Sequence, residues 1–430
     1  MKRNLSFLLF AFAAFILFNC ADPRRPIVNP EDYSMHFIKS EDQSLRDCKE
    51  DIIFWQNRLT KSPDDEVSLG KLASLFSGRF KLTGEVEDLY TSDSLYQVVI
   101  NSTPFGKAEL YQALAINSIT KHEFRQGKKY IQKAIAIGDS KGASYLILVD
   151  LNLELGDYAG ANYYLSKFEN RNSFAYLIRK AKVKDHQGKL DSAIYLMDKA
   201  LDRIKDDKSL FVWTKSNLAD MYGHAGRVKE AYQSYLEVLK KEPNYDYALK
   251  GIAWIAFSND HNAAEAKRII QSIINKKSTP DLHLLLAEIA SFEKNEAEKA
   301  KELALFAAEA RKLKYLGMYN KYLCTLEAQD FKNPTKAIEI AEREIMNRPT
   351  PQSFDLLAWS QFQAGQKENA LATAVEHLVN KTFEPEALFH LGIMYASVDQ
   401  RKSSAYLKEA LKSSFELGPI VTEQIEAALN

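Results

Sequence analysis

The sequence has few of the residues that break helices or cross-link a chain. Its 430 residues include only 17 glycines, 12 prolines and three cysteines. The scarcity of glycine and proline is consistent with helices that are joined by short turns. With three cysteines, nothing in the chain requires a disulfide for stability. If Cys20 carries a lipid, the remaining Cys48 and Cys324 lie far apart in the sequence. We therefore expect Cys324, which falls where helices pack closely, to be a buried free thiol.

Net charge and chemical motifs are also missing. Lys plus Arg and Asp plus Glu each number 57, so no net charge favours nucleic acid as a partner. The eight histidines show no metal-ligand spacing, and we interpret His224 and His390 as surface or packing residues. No nucleophile elbow or phosphate loop occurs, and residues 105–107 are a turn. The sequence therefore predicts no enzyme, cofactor or metal site.

The N-terminus carries an apolar run that is too short to cross a membrane. Lys2 and Arg3 precede the run from Leu8 to Phe18, which is 11 residues long. A bilayer core of about 30 Å needs about 20 apolar residues in a helix. The pattern therefore predicts a secretory signal over residues 1–19 rather than a membrane span.

The residues that follow, Leu17-Phe18-Asn19-Cys20, resemble the bacterial lipobox. The resemblance implies that Cys20 is lipidated and anchors the protein in a membrane, although Asn19 departs from the usual small residue. Ordinary cleavage nearby is the alternative. Ala21 after Cys20 favours the outer membrane by resemblance to sorting patterns, on the periplasmic or surface side. The three prolines between Ala21 and Pro30 predict a tether over residues 20–43.

The chain repeats itself at a spacing of about 34 residues. The clearest copy runs from Val212 to Pro243 with a turn at Gly226. Its remaining signature residues, small or large and apolar, are Leu218, Ala219, Tyr222, Ala231, Tyr235 and Val238. This pattern resembles the tetratricopeptide repeat, and with the lipobox it resembles a repeat lipoprotein of a Gram-negative, Bacteroidetes-like bacterium. The resemblance implies an all-α, right-handed superhelical solenoid of helix-turn-helix units.

Further copies extend the pattern into an array of nine or ten units. They begin at Ala108, Gly142, Phe174, Tyr247, Asp281, Met318, Pro351 and Pro385. We predict an N-terminal helix with a divergent repeat over residues 44–107, the array over 108–415 and a capping helix over 416–430. Neighbouring hairpins are expected to form an open spiral that shares one continuous core.

The concave groove is the predicted binding site. In this family the first helix of each unit lines the groove. At the matching positions of the C-terminal half stand Leu282, Leu285, Ile289, Tyr319, Tyr322, Leu326, Trp359, Phe362, Phe389 and Ile393. Such residues suit an extended peptide or an apolar helix. The alternative is a register error of one position, which would make them core residues.

We therefore predict a membrane-anchored, non-enzymatic scaffold or adaptor that binds a protein partner or peptide in the cell envelope. One alternative is an accessory lipoprotein of a polysaccharide-export complex. Another is a nutrient-uptake lipoprotein that binds glycans. The Lys and Asn clamp that chaperone-binding relatives use for a C-terminal carboxylate is not found at the groove positions.

Overall fold

The computed structural model describes residues 26–38, 43–102, 106–138, 141–204 and 206–430. Within these ranges the chain forms 22 α-helices and a few short 3-10 segments, with no β-strand. Cys20 and the predicted signal sequence over residues 1–19 lie outside the described residues. Within these same ranges, no helix combines the length and the apolar composition needed to cross a membrane. The predicted all-α solenoid is confirmed.

A single helix, α1 (Gln43–Lys61), precedes ten helical hairpins, and α22 (Ser414–Leu429) follows them. The hairpins are α2 (Glu66–Thr83) with α3 (Glu87–Ser102), α4 (Lys107–Thr120) with α5 (Phe124–Ile137), α6 (Lys141–Glu154) with α7 (Tyr158–Ser166), α8 (Phe174–Asp185) with α9 (Leu190–Leu201), α10 (Lys208–His224) with α11 (Val228–Lys241), α12 (Asp246–Trp254) with α13 (Ala263–Ile274), α14 (Pro280–Phe292) with α15 (Glu296–Ala310), α16 (Asn320–Gln329) with α17 (Pro334–Asn347), α18 (Pro351–Gln363) with α19 (Lys367–His377), and α20 (Pro385–Tyr395) with α21 (Gln400–Leu411). A π-helical turn, Ile255–Asn259, continues α12.

The hairpin of α10 and α11 shows why these residues fold in this way. The Asp207 side chain accepts a hydrogen bond from the Leu210 amide at 2.9 Å and caps the start of α10. Gly226 adopts a positive φ of 70° in the turn, a conformation that favours glycine. Ala219 and Ala231 are buried where the two helix backbones approach each other. Small residues therefore set the distance between the helices, as the repeat pattern indicated.

Successive turns of the superhelix contact each other, in contrast to the open spiral that the sequence predicted. The Tyr90 hydroxyl donates a hydrogen bond to the Lys314 carbonyl at 3.0 Å, across 224 residues of sequence. The side-chain amide of Asn347 donates a hydrogen bond from Nδ2 to the His122 carbonyl at 2.7 Å, across 225 residues. The two hydrogen bonds join residues at nearly the same distance in sequence, as expected when each contact joins one turn of the superhelix to the next. The repeats therefore enclose an interior.

The N-terminal segment 26–38, expected as part of a tether, is instead bound to the outer helices. The backbone amides of Ile27 and Val28 donate to the Asp260 carboxylate at 3.0 and 2.9 Å. Tyr33 is fully buried, and its hydroxyl donates a hydrogen bond to Glu265 of α13. The tether prediction is wrong for these residues, because an aromatic side chain and paired amides hold them against the fold.

The C-terminal helix α22 does more than cap the last repeat. It begins at Ser414, before the predicted position, and bends at Gly418, where φ is 75° and ψ is 171°. It contacts α20 and α21, as a cap would, but also α10, α14 and the π-helical turn. Both Trp254 Nε1 and Ser258 Oγ donate to the Phe415 carbonyl, at 3.0 and 2.7 Å. The helix thus runs into the interior of the superhelix.

Candidate functional site

Two cavities inside the superhelix form the candidate site. The α10–α16 cavity has a volume of about 680 Å³ and is bounded mainly by α10, α12, α14, α16 and α22. The α14–α20 cavity has a volume of about 700 Å³ and is bounded mainly by α14, α16, α18, α20 and α22. Both are lined by Leu284, Glu288, Glu386 and Val421, so we treat them together as one interior channel. First helices of the hairpins supply most of its wall.

The channel does not contain every residue that the sequence predicted for a groove. Trp359, Phe362, Phe389 and Ile393 line the α14–α20 cavity. Tyr322 and Leu326 line the α10–α16 cavity, and Leu285 lines a smaller adjoining cavity of about 300 Å³. Leu282 and Ile289 belong to the hydrophobic core around α12 and α13, and Tyr319 packs against the next core cluster.

The register on α14 explains the misplaced residues. Leu284, Ala287 and Glu288 face the channel, whereas Leu282 and Ile289 are almost completely buried in the core. The predicted positions therefore lie one or two residues away from those that line the wall. On a helix of 3.6 residues per turn, such a shift moves a side chain from one face to another.

Part of the predicted groove is covered by the chain itself. Phe389 is buried in a cluster with Leu417 and Ile425 of α22, and Ile393 packs against the same cluster. These aromatic and aliphatic positions thus already bind a helix, which belongs to the same chain.

Carboxylates dominate the charge of the α10–α16 cavity, although the whole chain is neutral. Its lining includes the lysines Lys250 and Lys321. The carboxylates on the same wall are Asp220, Glu288, Asp330, Glu384, Glu386 and Glu416. Composition could not reveal this excess, because it arises from how the superhelix brings distant first helices together.

Lys321 is held between a carboxylate and an aromatic ring. Its ammonium lies 2.7 Å from the Glu386 carboxylate and 5.9 Å from the centre of the Tyr322 ring. Burial alone would raise the pKa of Glu386, but the charges of Lys321 and His390 outweigh it, and the pKa is lowered. This pair is therefore ionised at neutral pH.

Lys250 has the same kind of surroundings. Its ammonium lies 2.7 Å from the Asp281 carboxylate and 5.2 Å from the centre of the Tyr247 ring. The Tyr247 hydroxyl in turn donates to Asp220 at 2.7 Å, and the Tyr235 hydroxyl donates to the other oxygen of that carboxylate. Both lysines of the α10–α16 cavity are thus already paired by the protein.

Glu288 differs from the other carboxylates of the channel. No hydrogen bond or ion pair to it is found among the described residues. It lies far below the outer surface, although the cavity beside it leaves the side chain partly accessible to water. Burial, with a smaller contribution from the charge of Glu386, raises the pKa of Glu288 to about 8. The channel therefore contains one deeply placed carboxyl group that holds its proton near neutral pH.

The two histidines noted in the sequence have different environments. His390 is buried, its Nδ1 lies 2.9 Å from Asp355, and its ring stacks on Trp359 with 4.0 Å between centroids. Burial acts to lower the pKa of His390, but Asp355 outweighs it and the pKa is raised. His224 is exposed at the channel wall, 4.0 Å from Glu416. The described residues contain no cluster of three or more potential metal ligands.

Cys324 is buried and unpaired, as its packing position predicted. Burial raises the pKa of its thiol to about 11. A thiol with this pKa is not a nucleophile at neutral pH.

Comparisons with known proteins give only distant likenesses. No protein-family model matches the chain, and no curated protein matches it significantly. A tetratricopeptide repeat protein from Parabacteroides merdae has 14% identity and a TM-score of 0.41, covering 57% of this chain and 96% of its own. Human IFIT1, in a dimer with PPP-AAAA, has 13% identity and a TM-score of 0.42, with coverages of 87% and 96%. The APC/C hetero-tetramer Cut9–Hcn1 has 13% identity and a TM-score of 0.35, with coverages of 90% and 94%.

Proposed function

We propose that the protein is a non-catalytic scaffold whose interior channel binds a polypeptide segment of a partner. The observation that carries this proposal is the position of α22. A helical segment already lies in the channel against α10, α14 and α20, so the wall is suited to polypeptide. The adjoining space of about 680 and 700 Å³ would receive side chains of the partner.

Aromatic residues on the cavity walls support the same proposal. Tyr322 is 46% exposed although it lines the α10–α16 cavity. Phe362 and Trp359 stack at 5.4 Å between centroids beside the α14–α20 cavity. Tyr and Trp side chains are enriched among the residues that dominate the affinity of protein interfaces.

Site-specific photo-crosslinking in native membranes tests the proposal. A photoreactive phenylalanine in place of Tyr322 should capture a partner protein, because this position faces the channel. The matched control is the same replacement of Tyr163, which is 55% exposed on the outer helix α7. If both positions capture the same proteins equally, or only the control captures any, the channel is not the binding site.

We further propose that lipidation of Cys20 anchors this scaffold to the outer membrane of a cell envelope. Five residues lie between Cys20 and Pro26, the first residue of the segment 26–38, and the six Cα–Cα steps between these two residues span at most about 20 Å. Because residues 26–38 pack on α11 and α13, this side of the protein would lie close to the membrane. The folded part of the protein would therefore not be held away from the membrane by a long tether.

Replacing Cys20 with Ser should move the protein from the membrane to the soluble fraction. Alanine at Cys48, a residue outside the lipobox, provides the control and should leave the distribution unchanged. Retention of the Cys20→Ser variant on membranes would contradict the anchor. Affinity purification then distinguishes the alternatives. Recovery of an export complex or another protein supports a protein-binding role, whereas recovery of no protein partner favours a role in glycan uptake.

A further inference from the structure

We infer that the partner segment binds as an amphipathic helix that displaces the second half of α22, residues 419–429, from its place on α20 and α21. This inference rests on the proposed function, because it specifies the form of the bound segment and the surface that it contacts. In α22 the protein thus carries a competitor for its own binding surface.

The second half of α22 is an amphipathic helix whose apolar side contacts α20 and α21. Val421, Ile425 and Leu429 follow one another at steps of four residues, so they lie on one side of the helix. Ile425 is completely buried among side chains of α20 and α21, and the other two pack against the same cluster. Glu423 and Ala427, on the opposite side, are exposed. Amphipathic helices of partner proteins bind apolar grooves in the same way.

Only apolar contacts hold this half of the helix in place. Among the described residues, no hydrogen bond or ion pair joins residues 419–429 to another helix. The hydroxyl of Thr422 donates within α22 itself, to the Gly418 carbonyl at 2.7 Å. Because apolar contacts are not directional, another helix with the same spacing of apolar residues can replace these contacts.

The first half of α22 is fixed in a different way. Its Phe415 carbonyl accepts hydrogen bonds from Trp254 Nε1 at 3.0 Å and from Ser258 Oγ at 2.7 Å. A methyl group built on Gly223 would lie 2.6 Å from the Phe415 ring, so this ring fits closely against α10. Hydrogen bonds and close packing therefore keep residues 414–417 in the channel.

The two halves meet at a hinge. Gly418 has φ of 75° and ψ of 171°, a backbone conformation that is almost confined to glycine. Pro419 has no N–H, which interrupts the hydrogen bonds of the helix at this point. The second half can therefore leave the wall while the first half stays bound.

The α14–α20 cavity indicates which helix would bind better than α22. Ile420 and Val421 line one side of this cavity, and Leu284, Leu303 and Phe362 of other helices also line it. About 700 Å³ remains open between them, so the side chains of α22 do not fill the space. A larger apolar side chain at the position of Val421 would bury more apolar surface. We therefore expect the partner's helix to carry Phe or Leu at this position.

Fluorescence anisotropy on the full chain tests the inference with labelled, acetylated peptides. The main probe has the sequence of residues 419–430 with the change Val421→Phe. The unchanged sequence should bind about fivefold more weakly, because it buries less apolar surface. A third peptide with the further change Ile425→Asp should not bind, because a charge would be buried at the centre of the contact.

Two variants of the protein weaken the competitor by different routes. Ile425→Ala removes its central contact, and Gly418→Ala crowds the hinge, where a methyl group would lie 2.8 Å from Glu288. Each should raise the affinity for the Val421→Phe peptide by about tenfold or more, since less of the protein then has its surface occupied by α22. The matched controls are Glu423→Gln on the exposed side and Gly365→Ala, which has no close neighbours. Both should leave the affinity unchanged.

Hydrogen exchange shows whether the peptide takes the place of α22. Saturating the wild-type chain with the Val421→Phe peptide should speed exchange over residues 419–429 by about tenfold or more, and leave residues 414–417 unchanged. Three results would each overturn the inference: no binding of this peptide to wild type or either variant, equal affinities of wild type and both variants, or binding without faster exchange over residues 419–429.

The outcome is separable from that of the scaffold proposal. If Tyr322 crosslinks to a partner while the peptide fails to displace α22, the channel binds its partner beside α22 and this inference alone fails. If crosslinking at Tyr322 fails, the scaffold proposal itself fails.

Discussion

Replacing Glu288 with Gln should stabilise the protein at alkaline pH, which is unusual for a change inside a folded domain. Glutamine resembles the protonated form of the side chain but cannot ionise. Below about pH 4.5 the wild-type carboxyl group is protonated in both the folded and unfolded chains. Between pH 4.5 and about 8 the unfolded chain loses this proton while the folded chain keeps it. The wild type therefore loses stability relative to the variant as the pH rises through this range.

The magnitude follows from the change in pKa. The free energy of unfolding lost above pH 8 is at most about 5 kcal/mol, since the pKa rises from 4.5 to about 8 and one pKa unit corresponds to about 1.4 kcal/mol. The cavity beside Glu288 admits water, which screens the charge and reduces the cost. We therefore expect the variant to gain about 1–3 kcal/mol at pH 8 relative to wild type and much less at pH 5.

Thermal unfolding followed by circular dichroism at pH 5, 6.5 and 8 measures this effect. The difference in melting temperature between Glu288→Gln and wild type should grow with pH. Glu376→Gln should show no such trend, because its carboxylate is exposed. A constant difference across the three pH values, or a variant that melts below wild type at pH 8, would refute the assignment of a buried, unpaired carboxyl group.

Three further changes test other parts of the structure. His390→Gln leaves Asp355 buried without its cation and should lower the free energy of unfolding by about 3 kcal/mol at pH 6. Because the pKa of His390 is raised, the imidazole loses its charge as the pH rises toward 9, and the difference between variant and wild type in thermal unfolding should then shrink. Gly418→Ala should destabilise by about 1–3 kcal/mol more than Gly365→Ala, since both glycines have φ near 75° but only Gly418 has close neighbours; denaturation curves compare them. Tyr33→Phe removes a hydrogen bond to a carboxylate and should lower amide-exchange protection over residues 26–38 by about tenfold.

Hairpin positions could be predicted because small and aromatic residues recur at fixed distances. Predicted units began within a few residues of the observed first helices, as with Pro351 for α18 and Pro385 for α20. Helix pairing inside a hairpin depends on local packing and turn residues such as Gly226, so the local sequence contains the necessary information.

The channel could be predicted only in part. Whether successive turns touch depends on small rotations between hairpins that add up over about 225 residues, as in the contact between His122 and Asn347. No local pattern encodes that sum. The course of α22 was missed for a related reason, because Gly418-Pro419 indicates a break but not the direction of the chain after it.

The acidic interior was hidden for another reason. Glu288 occupies a helix position between apolar residues, and its sequence neighbours do not distinguish it from a surface glutamate. Only the meeting of α12, α14 and α22 places it beside Trp254. Similarly, the segment 26–38 has a tether-like composition. The residues that it contacts, Asp260 and Glu265, are more than 230 residues away in the sequence.

Intramolecular photo-crosslinking from α22 tests most directly whether this helix occupies the interior of the superhelix. Gln424 lines the α14–α20 cavity and is exposed, so a photoreactive phenylalanine there should leave the fold intact. The structure predicts crosslinks within one chain to peptides of α14, between Pro280 and Phe292, in the purified protein. Crosslinks confined to α20 and α21 would show an ordinary end cap and contradict the enclosed channel.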